Sequence, residues 1–196
     1  MTIITSPFPA VELRAITITE RVFEGLRDDP EKVVLTDGPT GRQMTAAAFM
    51  QAVKSLAGGL NGRGTGKGTM VALMAPNLPE YAVVFHGVAW AGGTVTLINP
   101  TYTPHEVQHQ LRDSGATLLI TIPHFLDTAK AAVEGTEVAE IAVIGDNSHD
   151  LEMARSGGAG LAIGVLSGNG TREALEPLAD VILASVADLP SHLGVI

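Results

Sequence analysis

The chain has 196 residues, 45% of them hydrophobic, and a formal net charge of −9, which suits an ordered globular protein with one well-buried core or two small ones. The acids are spread along the chain and no basic patch exists, which argues against nucleic acid or an anionic membrane surface as partner. Zero cysteines exclude disulfides, thiolate metal sites and cysteine nucleophiles.

Residues Met1 to Leu13 lack a basic segment followed by an apolar core, so they do not read as a signal peptide. A helix is expected from Ile18 to Arg27, capped by Thr17 with Glu20 three residues on. Lys32 to Thr36 reads as a short strand, and Asp37-Gly38-Pro39-Thr40-Gly41 as a turn of hairpin type. Thr45 caps an alanine-rich helix from Ala46 to Leu60 with Phe49, Val53 and Leu56 on one face.

Regular alternation follows. Strand Met70 to Met74 precedes a helix from Leu78 to Ala91, and strand Thr94 to Ile98 precedes one from Pro104 to Asp113. Strand Thr117 to Thr121 leads to a helix at His124 to Val133. Strand Ile141 to Ile144 leads to a helix at His149 to Ser156 ended by Gly157-Gly158. Strand Gly160 to Val165, helix Arg172 to Leu175, strand Asp180 to Leu183 and helix Val186 to His192 complete the series. Tyr81 to Ile98 is the one stretch of near-membrane length, but His86, Gly92-Gly93 and two threonines interrupt it, so a helix followed by a strand explains it better. The expectation is a three-layer α/β protein with a predominantly parallel, doubly wound, Rossmann-like sheet. No Ser/Pro/Gly-rich linker divides the series, so one continuous domain is expected, and a cytoplasmic location is the default.

The most informative stretch is Gly145-Asp146-Asn147-Ser148-His149-Asp150, directly after the apolar run Ile141 to Ile144. A buried parallel strand ending in Gly-Asp delivers a carboxylate to the edge where open α/β sheets bind ligands. Two carboxylates four residues apart suit Mg²⁺, which keeps several waters and shares one or two carboxylates with a phosphate. Phosphate or a small phosphorylated molecule is therefore the expected ligand, with Asp146 and Asp150 as the metal residues.

Three other motifs carry plainer readings. His105-Glu106-Val107-Gln108-His109 matches the zinc-protease pattern, with Glu134 or Glu137 as a distant third ligand. However, Thr103-Pro104-His105-Glu106 is a capping box that already explains Glu106. Asn61-Gly62-Arg63-Gly64-Thr65-Gly66-Lys67-Gly68 lacks the first glycine and the final hydroxyl of a phosphate-binding loop, and reads as a helix-to-strand turn. Ser167-Gly168-Asn169-Gly170-Thr171 reads as a loop, with anion binding at its glycines as the alternative. Trp90 and the scattered aromatics read as core.

Residues 33 to 120 resemble the N-terminal portion of the adenylate-forming acyl-CoA synthetases, the AMP-binding family that includes the 4-coumarate–CoA ligases. The residues that carry this are Gly66-Lys67-Gly68-Thr69 into Met70 to Met74, Asn77-Leu78-Pro79-Glu80-Tyr81, Phe85-His86-Gly87-Val88 and Ala91-Gly92-Gly93. Asn99-Pro100-Thr101-Tyr102-Thr103, Glu106-Val107 and Asp113-Ser114-Gly115-Ala116 extend the likeness. The family's Ser/Thr/Gly-rich ATP loop, adenylate-contacting Asp and C-terminal Lys have no counterpart, so no catalytic residue carries over.

From Ile141 the chain looks like the final portion of a haloacid-dehalogenase-like phosphatase, close to the phosphoglycolate phosphatases. Gly145-Asp146, Asp150 to Ala154, Gly158-Ala159-Gly160, Gly164 to Gly168, Thr171-Arg172 and Ala179-Asp180 carry this likeness. It implies that Asp146 ligates Mg²⁺ and that Asp150 supports the site. It also demands a nucleophilic Asp upstream. Val33 to Thr40 ends a strand in Asp-Gly, but Leu35 stands at the nucleophile position and cannot accept a phosphoryl group. The reading is thus a hybrid or truncated protein, with a ligase-like portion over 1–140, a phosphatase-like portion over 141–196 and no complete active site. Two alternatives stand beside it. One is a Mg²⁺-dependent phosphohydrolase with Asp37 as the missing acid, and the other is an acyl- or CoA-binding module related to AMP-dependent ligases.

Overall fold

The computed structural model describes Phe8, residues 14–165 and residues 170–183. The expected helix at Val186 to His192 and most of the Ser167 to Thr171 loop lie outside the described residues.

Helix α1 (Ile18–Leu26) begins at the Thr17 cap, where the Thr17 hydroxyl and the Glu20 carboxylate bond each other's backbone N–H groups. Strands β1 (Val33–Thr36) and β2 (Gln43–Thr45) form an antiparallel hairpin around the turn that begins at Asp37. The three-residue β2 was not expected; its backbone pairing with β1 defines it. Helix α2 (Ala46–Gly62) follows its Thr45 cap, and Gly64 and Gly68 then take positive φ in the turn that leads into β3 (Met70–Met74). That turn runs from helix to strand, the reverse of a phosphate-binding loop.

The remaining elements are α3 (Pro79–Trp90), β4 (Thr94–Ile98), α4 (Pro104–Ser114), β5 (Leu118–Thr121), a 3₁₀ turn at Pro123–Phe125, α5 (Leu126–Ala132), β6 (Glu140–Gly145), α6 (Ser148–Ser156), β7 (Leu161–Val165), α7 (Arg172–Leu175) and β8 (Val181–Leu183). Strands β3 to β8 form one six-stranded sheet in the order β4-β3-β5-β6-β7-β8, parallel at every pair. The expected three-layer, doubly wound α/β class is what the structure shows.

Alternation along the strands divides the core. Val71, Leu73 and Ile120 pack with α1, α2 and α3 on one face, and Ala72, Met74 and Leu119 pack with α4 and α5 on the other. Val143 and Ala162 join Leu151 of α6 and Leu175 of α7. A parallel sheet covered on both faces reads as continuous apolar runs, which is why Met70 to Met74 and Ile141 to Ile144 show no polar alternation. Trp90 departs from expectation. It ends α3 with 37% of its surface exposed and rests one side on the Phe23 ring at 5.1 Å.

The sheet passes through the point where the two sequence likenesses meet. Strand β6 pairs with β5 over Leu118↔Glu140 to Thr121↔Val143, and Arg63 at the end of α2 forms an ion pair with Glu140. Among the described residues, no helix is long and apolar enough to cross a membrane.

Candidate functional site

Strand β3 leads to β4 through α3 on one face of the sheet, while the chain returns through α4 on the other face to place β5 on the opposite side of β3. The carboxyl ends of β3 and β5 therefore flank a topological switch point, where open α/β sheets leave a ligand crevice. A cleft of about 390 Å³ occupies this position. Pro76, Asn77 and Leu78 line it after β3, Pro123 and His124 after β5, and Gly145, Asp146 and Asp150 after β6. Asp37, Pro39 and Arg42 close it from the hairpin side.

Asn147 organises the carboxylates. It is the N-cap of α6, and its Oδ1 accepts from the Asp150 N–H at 2.9 Å. Its Nδ2 donates to Asp146 Oδ1 at 3.1 Å and to Asp150 Oδ2 at 2.9 Å, so one amide bridges both acids. The Asp146 N–H also donates to Asp150 Oδ2 at 3.3 Å. Gly145 makes this turn possible, since a Cβ there would stand 2.4 Å from the Asp150 Cβ. Gly170 closes from the other side, its N–H donating to the Asp146 carbonyl at 2.8 Å.

Burial pushes the Asp150 carboxyl above its ordinary range, and the negative charge of Asp146 adds to this while the Asp146 N–H opposes it. Two half-buried carboxylates presented on one short turn, with oxygens as donors, fit a hard cation such as Mg²⁺ that takes one or two carboxylates and completes its shell with water or phosphate. Among the described residues, no group of three or more His, Cys, Asp or Glu side chains could hold a metal. Among the described residues, Asp146 and Asp150 are the two carboxylates that this turn presents to the cleft.

The structure adds a pair that the sequence reading missed. Arg42 on the hairpin forms a forked ion pair with Glu80 in the first turn of α3, with Nη2 2.7 Å from Oε2. Glu80 is 7% exposed. The Glu80 hydrogen bonds hold the Arg42 guanidinium above its ordinary basicity, and the nearby charges of Asp146 and Asp37 add to the effect. Asp37 itself is a turn residue. Its N–H donates to the Arg42 carbonyl at 2.8 Å and its carboxylate accepts from the Thr40 hydroxyl.

Elsewhere, His105 and His109 lie exposed along α4 beside Tyr102 and Asp113. Glu106 accepts from the Thr103 N–H and hydroxyl, both at 2.8 Å, which commits it to the capping box. That bonding lowers the Glu106 carboxyl below its ordinary range, and no described acid joins the two histidines as a third ligand. Glu134 meets α4 through its backbone carbonyl, which accepts from Gln108.

The AMP-binding enzyme family model matches residues 22–163, and the chain belongs to that family. The match runs through β6 and α6 into β7, so the ligase relationship is not confined to the first 140 residues. A probable 4-coumarate–CoA ligase of Dictyostelium discoideum is 31% identical over 68% of this chain and 23% of its own length. A long-chain-fatty-acid–CoA ligase of Salmonella typhimurium is 41% identical over 51% of this chain and 16% of its own. Among solved structures, a long-chain-fatty-acid–CoA ligase from Archaeoglobus fulgidus aligns with TM-score 0.62 and 26% identity, over 71% of this chain and 29% of that one. An anthranilate–CoA ligase crystallised with anthranoyl-AMP aligns with TM-score 0.61 and 25% identity, over 67% of this chain and 25% of that one. The chain thus spans about a quarter or less of the length of these curated relatives. These findings favour a ligase-related module over the phosphatase-tailed hybrid.

Proposed function

We propose that this chain acts as an acyl- or CoA-binding module related to AMP-dependent ligases, with the cleft between β3 and β5 as its ligand site. The observation that supports this most is the position of the cleft. It lies at the switch point of a sheet that the family match covers from β3 into β7, and it is lined by Pro76, Asn77 and Leu78 of the ligase-like segment. Apolar Leu78, Ile122, Pro123 and Val165 stand beside the polar groups of Asn77, Asp146 and Asp150, a mixture suited to a ligand with an apolar body and a phosphate-bearing end.

In this reading Asp146 and Asp150 form a Mg²⁺-assisted phosphate subsite at the carboxyl end of β6. When bound, Mg²⁺ would neutralise the two carboxylates and polarise phosphate oxygens. Asn147 orients both acids, and Gly145 allows the Asp150 side chain to approach. In this reading the residues present supply binding, and the ATP loop and C-terminal Lys of the ligases have no counterpart among them.

The test is ligand-induced stabilisation. CoA or a non-hydrolysable acyl-adenylate analogue at 100 times its dissociation constant should stabilise the fold by about 2.7 kcal/mol. Unchanged melting with saturating CoA, acyl-adenylate analogue and Mg²⁺ would sink the reading. A second reading, a Mg²⁺-dependent phosphohydrolase, draws support from one observation: Asp37 lines the same cleft as Asp146 and Asp150. It requires turnover of a generic phosphate ester that is abolished by both Asp146→Asn and Asp37→Asn.

A further inference from the structure

We propose that His105 and His109 on α4 form a surface site for a borderline divalent transition cation such as Zn²⁺ or Ni²⁺, held by the two imidazoles alone with its other positions open to water. The site shares no lining residue with the cleft at the β3–β5 switch point, and it stands independently of the function proposed for that cleft.

Helix α4 holds the two histidines in register. Its inner side is fixed by Val107 and Leu111, both fully buried against Ala72, Met74 and Leu119 of the sheet. His105, His109 and Asp113 stand two positions off that pair, about 200° around the helix, and all three are exposed. Side chains at i and i+4 rise on one face with Cβ atoms roughly 5–6 Å apart, a spacing at which two imidazoles can meet one zinc-sized ion. The capping box at Thr103 and Glu106 orders the turn that carries His105, and the left-handed Gly115 ends the helix beyond Asp113.

The neighbouring groups leave the imidazoles available and favour a cation. Glu106 is engaged in the cap, and Gln110 Nε2 bonds Thr96 Oγ1 and the Leu97 carbonyl. Arg112, the basic side chain of this helix, is turned to the carbonyls of Gly135 and Glu134. Glu106 and Asp113 add negative charge along the rim of the concavity of about 540 Å³ into which both histidines face, which leaves room for coordinated water. Asp113 is eight positions from His105, roughly 12 Å along the axis. That is too far for Asp113 to join both histidines on one ion, in keeping with the lack of any group of three ligands among the described residues. The site therefore lacks the third protein donor of a hydrolytic zinc centre, and it binds metal without supplying proteolysis. Neutral imidazole selects Zn²⁺, Cu²⁺ and Ni²⁺ over Mg²⁺ and Ca²⁺, which prefer oxygen.

Isothermal titration of the full chain with ZnCl₂ and, separately, with NiCl₂ tests this, at mildly alkaline pH where imidazole is a neutral ligand. Wild-type protein should bind either ion, and excess Mg²⁺ should not displace it. His105→Gln and His109→Gln should each weaken binding by about tenfold or more, while urea unfolding of the metal-free protein stays unchanged because both side chains are exposed. His109→Gln/Asp113→His keeps the number of imidazoles but moves the second one out of reach of the first, so it should bind as weakly as His109→Gln. Asp113→Asn is the control for charge and should stay within about threefold of wild type, since an exposed charge outside the coordination shell is screened. Absence of Zn²⁺ and Ni²⁺ binding by wild type, or displacement of the bound ion by Mg²⁺, would overturn the site. So would wild-type affinity in either single histidine variant or in His109→Gln/Asp113→His, and a tenfold loss in Asp113→Asn would overturn coordination by the imidazoles alone.

Discussion

Asp150 shows how a single side chain can carry a cost in the folded state. Its carboxyl is raised in the folded protein, so the fold holds its proton to higher pH than the unfolded chain does. Its contribution to stability is therefore full at low pH and is lost as pH rises from the ordinary 3.8 through the raised folded value. Asp150→Asn keeps the shape and an acceptor for the Asp146 N–H without that cost. Urea unfolding of the metal-free protein should show the variant at least as stable as wild type at pH 7, with the difference vanishing below pH 3.8. Added Mg²⁺ should narrow the gap by stabilising only the wild type. A variant clearly less stable than wild type at pH 7 without metal would show that the Asp150 charge is already compensated. At this scale the sequence was partly legible. The Gly-Asp ending of an apolar run marked the acids, and Asn before a helix is a capping signal from which the bridging role of Asn147 was open to inference. Arg42 and Glu80 stand 38 positions apart on elements whose relative placement no local pattern encodes.

Elements with strong local chemistry agree most closely with sequence expectations. Strands β3 and β4 begin and end where the apolar runs do, and α1, α2 and α4 begin directly after their Thr caps. Thr103→Ala should cost about 1 kcal/mol by removing the cap of α4, read as a shift in urea midpoint. The packing of α2 on α3 is tighter than sequence alone reveals. A Cβ at Gly87 would meet Leu56 Cδ2 at 2.7 Å and Cγ at 3.0 Å, and Leu56 is 4% exposed. Gly87→Ala gains about 1 kcal/mol of helix propensity and incurs roughly 1–3 kcal/mol of overpacking. A net loss of up to about 2 kcal/mol is expected, and a stabilised variant would mean that Leu56 has room to shift. Strand β2 escaped because three residues carry too little pattern to distinguish a strand from a helix approach.

Across the whole molecule, the repeated strand–helix units were readable as a doubly wound α/β protein, but the strand order was not. Strands β3, β5, β6 and β7 share one apolar character, and only tertiary packing determines that β5 returns beside β3. That placement creates the switch point and hence the cleft. It also brings the hairpin turn at 37–42 to the same cleft as the carboxylates after β6, within a sheet that pairs β5 to β6 without a break. The location of the ligand site is the claim on which the functional reading depends, and hydrogen exchange tests it directly. With CoA or an acyl-adenylate analogue bound in the presence of Mg²⁺, slowed exchange should concentrate at residues 75–81, 122–126 and 145–151, with the turn at 37–42 following. Protection confined to the exposed face of α4, or absent from all three sheet-edge segments while the ligand is bound, would contradict a binding site at the β3–β5 switch point.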